Sequence, residues 1–166
     1  MMDRDKKWPE DEVRPVALER IDERLHRYRL AQPKLEKSMA QSLERYGQVS
    51  PIVVCVQEDD YVLIDGFKRL RAARTLKGMN RLQARRMDVD EQGAKAAVYN
   101  LNCIGQRPLE LEESWIVHAL VREDGLSQVE AAQLLGRHKS WVNRRLAMLE
   151  RLCDAARDAI QDAATR

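Results

Sequence analysis

A short basic segment has the residue types needed to hold an anion. The apolar run 61–64 predicts a buried strand, and Asp65 and Gly66 interrupt it before a helical pattern begins. The first N–H groups of a helix have no partner within the helix, and Lys68, Arg69 and Arg71 add positive charge beside them. A turn that leads from a strand through a glycine to the start of a helix suits a phosphate. A solvated basic helix start after an ordinary strand is the alternative that these residues leave open.

A second group of polar and basic residues lies toward the carboxyl end. Ser127 and Glu130 have the spacing of a capping box, which sets where a helix begins. Ala132, Gly136 and Val142 then follow at the four- and six-residue steps of a helix-turn-helix, in which two helices cross closely. A plain helical hairpin is the alternative. The residues whose types could reach phosphates and base edges are Gln128, Arg137, Lys139, Ser140, Asn143 and Arg144.

The composition of the whole chain indicates a helix-rich protein. Hydrophobic residues make up 44% of the 166 residues, which suits one folded domain or two small ones. Aromatic residues make up 5% and charged residues 34%, which is typical of helices with large solvated faces. The net charge of +2 averages over separate blocks, because eight basic residues and no acid lie between Gly66 and Met87. Such segregated positive charge indicates a surface that faces a polyanion.

Several other kinds of site are not indicated. The cysteines Cys55, Cys103 and Cys153 lack the spacing of a zinc site or a disulfide framework, so we expect buried thiols in a reducing cytoplasm. His26 and His118 have no partner at catalytic or ligand spacing and are interpreted as structural. No apolar run approaches the roughly 18 residues of a membrane span, and the amino terminus is charged, so neither a membrane helix nor a signal peptide is predicted.

The first elements of the chain should lead into a sheet. Residues 1–15 are charged and contain two prolines, which predicts a poorly ordered arm, and 16–30 suits a short edge strand with an irregular link. A helix should begin at Pro33 and end near Gly47. The residues expected on its core face are Leu35, Met39, Leu43 and Tyr46.

The remaining patterns predict an α+β protein. Residues 51–57 and 61–65 should form a hairpin, 81–87 could form another strand, and the chain from residue 90 onward has only helical patterns. The predicted divisions are an arm at 1–15, a mixed sheet-and-helix domain at 16–89, and a helical region at 90–166 with the helix-turn-helix at 127–149.

With these motifs identified, the chain resembles ParB-like partition proteins. The segments 42–54, 61–73 and 126–149 match the family's motifs and occur in the family's order. The resemblance implies a first domain with the fold shared by ParB and sulfiredoxin, in which the glycine turn holds the triphosphate of CTP. The residues that it implies for nucleotide binding are Gly66, Lys68, Arg69 and Arg71, together with Asn100 or Asn102.

The chain departs from the family's pattern at two places. An apolar Phe67 stands where the family has a polar residue, and it also replaces the cysteine of sulfiredoxin, which argues against sulfiredoxin chemistry. The family's later Glu-Asn-x-x-Arg motif uses its Glu to help hold Mg²⁺, but the stretch 99–107 has no acid in that place. Because Mg²⁺ prefers carboxylate oxygens, the missing acid argues against a magnesium-dependent CTP site, and binding without hydrolysis is the alternative to a CTPase.

The resemblance leads to a hypothesis with one main alternative. The chain would be a DNA-binding protein of plasmid or chromosome partition or of a mobile element. It would bind a specific site in double-stranded DNA, and CTP would switch a clamp formed by a dimer. A ParA-type ATPase is the further partner that the family implies, and the setting would be the cytoplasm, without a membrane. The alternative is a helix-turn-helix transcriptional regulator whose first domain has lost nucleotide chemistry.

Overall fold

The computed structural model describes residues 8–9, 12–104, 108–152 and 154–165. They divide into two compact units, each described by itself below. The first comprises the described residues up to His26 together with Gln32–Asp90, and the second comprises Arg27–Ala31 and the described residues from Glu91 onward.

The first unit is built on a mixed sheet. Within the described residues, the strands are β1 Val13–Ala17, β2 Ile21–Asp22, β3 Ile52–Gln57, β4 Asp60–Asp65 and β5 Arg81–Arg86. These five strands form one sheet in the order β1, β5, β3, β4, β2. The central β3 is antiparallel to β4 and parallel to β5, while the edge strands β1 and β2 pair with β5 and β4. The predicted hairpin of β3 and β4 is therefore confirmed.

The α-helices of this unit are α1 Pro33–Tyr46 and α2 Phe67–Thr75, which pack against each other. The prediction of which residues form the core face of α1 is only partly correct. Leu43 is 4% exposed, but Leu35 is 43% exposed and Tyr46 is 67% exposed. The physical reason is length, because α2 has nine residues against fourteen in α1 and cannot cover both ends of the longer helix.

The amino-terminal segment is more structured than the sequence predicts. Strand β1 begins at Val13, inside the stretch 1–15 that the sequence pattern assigns to an arm. Trp8 is 2% exposed, donates a hydrogen bond from Nε1 to the carbonyl oxygen of Glu12 at 2.7 Å, and places its ring edge-on to Tyr61. Burial of a large aromatic ring is what ties this charged segment to the sheet. Residues 1–7, 10 and 11 lie outside the described residues.

The second unit consists of helices. They are α3 Glu91–Asn102, α4 Glu110–His118, α5 Gln128–Leu135, α6 Lys139–Glu150 and α7 Asp154–Thr165, with a π-helical turn, Ala119–Glu123, after α4. Lys95 bonds both carboxylate oxygens of Asp124, at 2.6 and 2.8 Å. Glu112 accepts from the Leu30 backbone N–H at 2.8 Å and from Arg29 at 3.2 Å, which incorporates the short segment Arg27–Ala31 into this unit. The α+β class expected from the sequence is confirmed.

Helices α5 and α6 fall within one residue of the segment 127–149, where the sequence predicts a helix-turn-helix. Ser127 and Glu130 form the capping box, since each side chain bonds the other residue's backbone N–H. Gly136 ends α5 with φ +62°, a left-handed conformation that favours glycine. On α6 the residues Val142, Leu146 and Leu149 are buried.

The cysteines are only partly as expected. Cys55 is fully buried in β3, whereas Cys103 is exposed just after α3, so the expectation of a buried thiol is wrong there. Helix α3 ends one residue earlier, which places Cys103 beyond the packed face. Cys153 lies outside the described residues.

None of the helices in the described part of the chain combines the length and the apolar character that crossing a membrane requires.

Candidate nucleotide and nucleic-acid sites

The turn between β4 and α2 requires a glycine for two reasons. Gly66 has φ +106°, which L-residues with a side chain rarely adopt. A Cβ atom at this position would also lie 2.5 Å from Cγ2 of Ile52, far inside normal contact. The next residue, Phe67, is 8% exposed and its ring lies 6.1 Å from that of His26. Phe67 therefore points into the core. Since its apolar side chain cannot bind an anion, the backbone N–H groups of the turn are the candidate hydrogen-bond donors to one.

Arg69 binds the chain itself at the edge of this turn. Its Nη1 donates to the carbonyl oxygens of Ser50 and Pro51, at 2.8 and 2.5 Å, and its Nη2 lies 3.4 Å from Asp65. The guanidinium thus ties the entry of β3 to the first turn of α2. In this arrangement Arg69 supports the loop, and only its remaining N–H groups could face a ligand.

Arg71 is engaged by carboxylates. Its Nη1 lies 2.8 Å from Oε1 of Glu36 on α1, and its Nε lies 3.9 Å from Glu23. The side chains of Arg71 and Glu36 are 22% and 23% exposed, so solvent reaches this pair. A groove of about 290 Å³ between α1 and α2 is lined by both residues. An anion that bound Arg71 there would have to compete with Glu36.

The loop before β3 is held by a side chain that sequence reasoning missed. Gln48 accepts from the backbone N–H of Gln83 at 2.6 Å and donates to the carbonyl oxygen of the same residue at 2.8 Å. It also donates to the carbonyl oxygen of Ser50 at 3.0 Å. The Gln48 side chain thus bonds both backbone groups of Gln83 in β5, from a loop position just before β3 begins. A single glutamine in a loop has no periodic signal that would have revealed this role.

The two asparagines expected to reach a nucleotide lie in the second unit. Asn102 donates to the carbonyl oxygen of Val98 at 2.6 Å, one helical turn back along α3. Asn100 is exposed, and its amide lies 3.4 Å from the carbonyl oxygen of Leu134. Gly66, Lys68, Arg69 and Arg71 all belong to the first unit. Within the residues that the structure describes, no group of three or more His, Cys, Asp or Glu side chains is arranged to hold a metal ion.

The outer face of α6 carries most of the predicted DNA-binding residues. Lys139, Ser140, Asn143 and Arg144 are all exposed, while the opposite face is buried. Polar and cationic side chains on the exposed face of the second helix of such a pair can contact phosphates and base edges. Gln128 lies at the start of α5 and is half-buried.

Arg137 is exposed as well, but its guanidinium, like that of the half-buried Arg145, contacts an aromatic ring. The Nε of Arg137 donates to the hydroxyl of Tyr99 at 2.6 Å, and its guanidinium lies over the rings of Tyr99 and Trp141. Arg145 bonds Glu113 on α4 and lies over the ring of Trp141. Burial raises the pKa of Tyr99 to about 12, and a hydrogen bond with Cys103 adds to this, while Arg137 acts in the opposite direction. The Tyr99 hydroxyl is therefore neutral at physiological pH.

Comparisons with known proteins agree with this architecture. A family model described as the ParB N-terminal domain matches residues 2–102. The chain is 34% identical over 138 residues to the chromosome-partitioning protein Spo0J of Thermus thermophilus, covering 82% of this chain and 49% of that protein. It is 32% identical over 123 residues to the nucleoid occlusion protein of Shouchella clausii, covering 74% and 42%. The chain thus spans about half the length of these curated relatives or less.

Solved structures give the same fold. A Pnob8-like ParB-N domain aligns with a TM-score of 0.55 and 16% identity, covering 84% of this chain and 70% of that one. The C-terminally truncated chromosome-partitioning protein ParB from Caulobacter crescentus, complexed to the centromeric parS site, aligns with a TM-score of 0.52 and 20% identity, covering 87% and 75%. At these identities the two structures support the fold.

Proposed function

Since the chain belongs to the ParB N-terminal domain family, we propose that it is a DNA-binding protein of chromosome or plasmid partition. Two relatives at 34% and 27% identity are named as chromosome-partitioning proteins, which supports this role. The protein would act on DNA in the cytoplasm as a dimer, with a ParA-type ATPase as its further partner.

The observation that carries the proposal is the two-sided character of α6. One side buries Val142 and Leu146, while the other exposes Asn143 and Arg144. The capping box and Gly136 fix where α5 begins and ends, and α6 begins three residues after Gly136, so that the pair can act as a helix-turn-helix. In such a motif the exposed face of the second helix enters the major groove, where amide and guanidinium groups distinguish base pairs.

The first test is whether the chain selects a duplex. The purified chain would be used to select duplexes from a random pool, with parS included as one defined probe. Asn143→Ala and Arg144→Ala should each weaken binding to the selected duplex by about 1–3 kcal/mol. Arg122→Ala is the matched control, because Arg122 is a surface arginine of the same unit whose guanidinium bonds Glu150 at 2.6 Å. Equal binding to selected and scrambled duplexes would contradict the proposal.

We further propose that the turn at Gly66 binds the phosphates of CTP. The backbone N–H groups at the start of α2 would contact the phosphates, and Lys68, Arg69 and Arg71 would supply positive charge. Arg71 fits this role if it exchanges Glu36 for a phosphate, since both are anionic acceptors for its N–H groups. Asn100 and Asn102, which the resemblance also implies for nucleotide binding, stay predictions.

Titration with labelled CTP, ATP and GTP, each with and without Mg²⁺, tests the nucleotide part. Saturable binding of CTP without phosphate release would indicate a switch, and release stimulated by the selected duplex would indicate a CTPase. If no nucleotide binds, the protein is better described as a helix-turn-helix regulator.

A role in nucleoid occlusion is the second candidate, favoured by relatives of that name at 30–32% identity. The selected DNA site, mapped on the chromosome, would separate these roles.

A further inference from the structure

The residue after Gly136 is cationic, and its position in the turn before α6 suggests a phosphate contact. The structure gives its guanidinium a different environment. Arg137 donates from Nε to the Tyr99 hydroxyl at 2.6 Å, and its guanidinium carbon lies 5.6 Å from the centre of the Tyr99 ring and 5.3 Å from that of Trp141. The two rings are themselves in contact, with centroids 5.6 Å apart. One arginine in the turn therefore bridges α3 and the first turn of α6.

A second arginine holds the same tryptophan. The guanidinium carbon of Arg145 lies 5.4 Å from the centre of the Trp141 ring. Arg145 is itself fixed, because its Nε donates to Glu113 at 2.5 Å and its Nη2 donates to Glu110 at 3.1 Å. Glu113 is 1% exposed, and the Arg145 side chain is 11% exposed. Trp141 thus contacts two guanidiniums, one anchored on α3 through Tyr99 and the other anchored on α4.

These contacts fix the rotation of α6 about its own axis. Trp141 and Asn143 are two positions apart, so their side chains point in directions about 200° apart around the helix. The two guanidiniums that contact Trp141 therefore hold α6 on the side opposite Asn143. A small rotation would move Asn143 and Arg144 together, and base-edge hydrogen bonds weaken steeply when their geometry is lost.

We propose that Arg137 is a positioning residue for α6 rather than a phosphate contact: by bridging Tyr99 and Trp141, it sets the orientation in which Asn143 and Arg144 meet a duplex. This inference rests on the proposed DNA binding. It assigns Tyr99 and Trp141, which do not lie on the predicted contact face, to the selectivity of the site. The buried tyrosine hydroxyl is the acceptor that keeps the cation in place.

The test compares Tyr99→Phe, Arg137→Ala and the double variant over a series of salt concentrations. The probes are the duplex that the wild-type chain selects and a scrambled duplex of equal length. Tyr99→Phe should weaken binding to the selected duplex about three- to tenfold and leave the scrambled duplex and the salt slope unchanged, because it removes one hydrogen bond to a charged group. Arg137→Ala should do the same, and the double variant should lose little more than either single variant.

A phosphate contact predicts a different result. Arg137→Ala would then weaken both duplexes alike and reduce the salt slope by about 0.9, because one counterion fewer is released. Tyr99→Phe would leave binding unchanged or strengthen it, since Arg137 would be released toward the DNA. Either result would overturn the inference. Tyr46→Phe is the control, because that hydroxyl lies on an exposed ring of the first unit.

Variants at the tryptophan separate positioning from a merely structural role. Trp141→Phe keeps a ring beside both guanidiniums and should retain most of the selectivity, whereas Trp141→Ala should lose it. If the variants lower thermal stability but keep the ratio of selected to scrambled binding, the inference is wrong. A wild-type chain without any selectivity would overturn the proposed function and this inference together. Wild-type selectivity that survives Tyr99→Phe and Arg137→Ala would overturn only the inference.

Discussion

Glu36 Oε1 lies 2.8 Å from Arg71 Nη1. A carboxylate of α1 therefore already binds the arginine that the family resemblance assigns to nucleotide phosphates. The two residues are 35 positions apart in the chain and meet because α1 packs on α2. An intramolecular carboxylate and a phosphate are alternative acceptors for one guanidinium. The structure therefore has a built-in competitor at the candidate nucleotide site.

Replacing Glu36 with Gln should strengthen nucleotide binding. The change keeps the shape of the side chain but removes the charge that holds Arg71, so affinity for CTP should rise about three- to tenfold. Equilibrium binding of labelled CTP measures this. Glu44→Gln is the control, because Glu44 is an exposed acid on the same helix. Weaker binding by Glu36→Gln would show that Glu36 supports the site instead of competing for it.

Replacing Gly66 with Ala should destabilise the first unit by about 3–5 kcal/mol, from backbone strain at positive φ and overlap with Ile52. Gly78→Ala isolates the backbone strain, because Gly78 also has positive φ but has no atom within 4 Å of the added Cβ. It should cost only about 1–2 kcal/mol. Urea unfolding measures both. Equal losses would mean that the contact with Ile52 relaxes without cost.

The alkaline side of the stability profile should depend on Cys55. Burial raises the pKa of its thiol to about 11 from the ordinary 9.0. Between these values the unfolded chain loses the proton and the folded chain keeps it, so the free energy of unfolding falls as pH rises from 9.0 to about 11. Cys55→Ala should make that fall shallower, as denaturant unfolding across this window would reveal.

Val54→Ala is the control, because Val54 is a buried residue of the same strand and has no ionisable side chain. It should lower the free energy of unfolding but leave its slope between pH 9.0 and 11 close to that of the unmodified chain. Identical slopes for Cys55→Ala and the unmodified chain would contradict the assigned cause.

The elements with local signals could be predicted from the sequence. The continuous β-branched run of β3, the break at Gly66 and the capping box at Ser127 each depend on neighbours within a few residues. Such signals fix helix and strand bounds without knowledge of the tertiary contacts. The α+β class followed from these patterns, and the resemblance to a known family added the ParB-like fold of the first domain.

The partners of the charged residues could not be predicted in the same way. Arg69 bonds carbonyl oxygens 18 and 19 positions earlier, and Arg137 bonds a hydroxyl 38 positions earlier. A run of basic residues indicates total charge, but the packing of distant elements decides which guanidinium is already occupied. The exposure of Tyr46 has a related cause, because helical periodicity identifies a face but does not reveal how far the neighbouring helix extends.

The contacts of Glu112 have a consequence for biosynthesis. Residues Arg27–Ala31 belong to the second unit, yet they are translated before most of the sheet, and their carboxylate partner emerges from the ribosome about eighty residues later. During that interval the sheet can assemble while the Leu30 N–H and the Arg29 side chain still lack Glu112. Residues 27–31 of the nascent chain therefore lack these contacts until α4 has been synthesised.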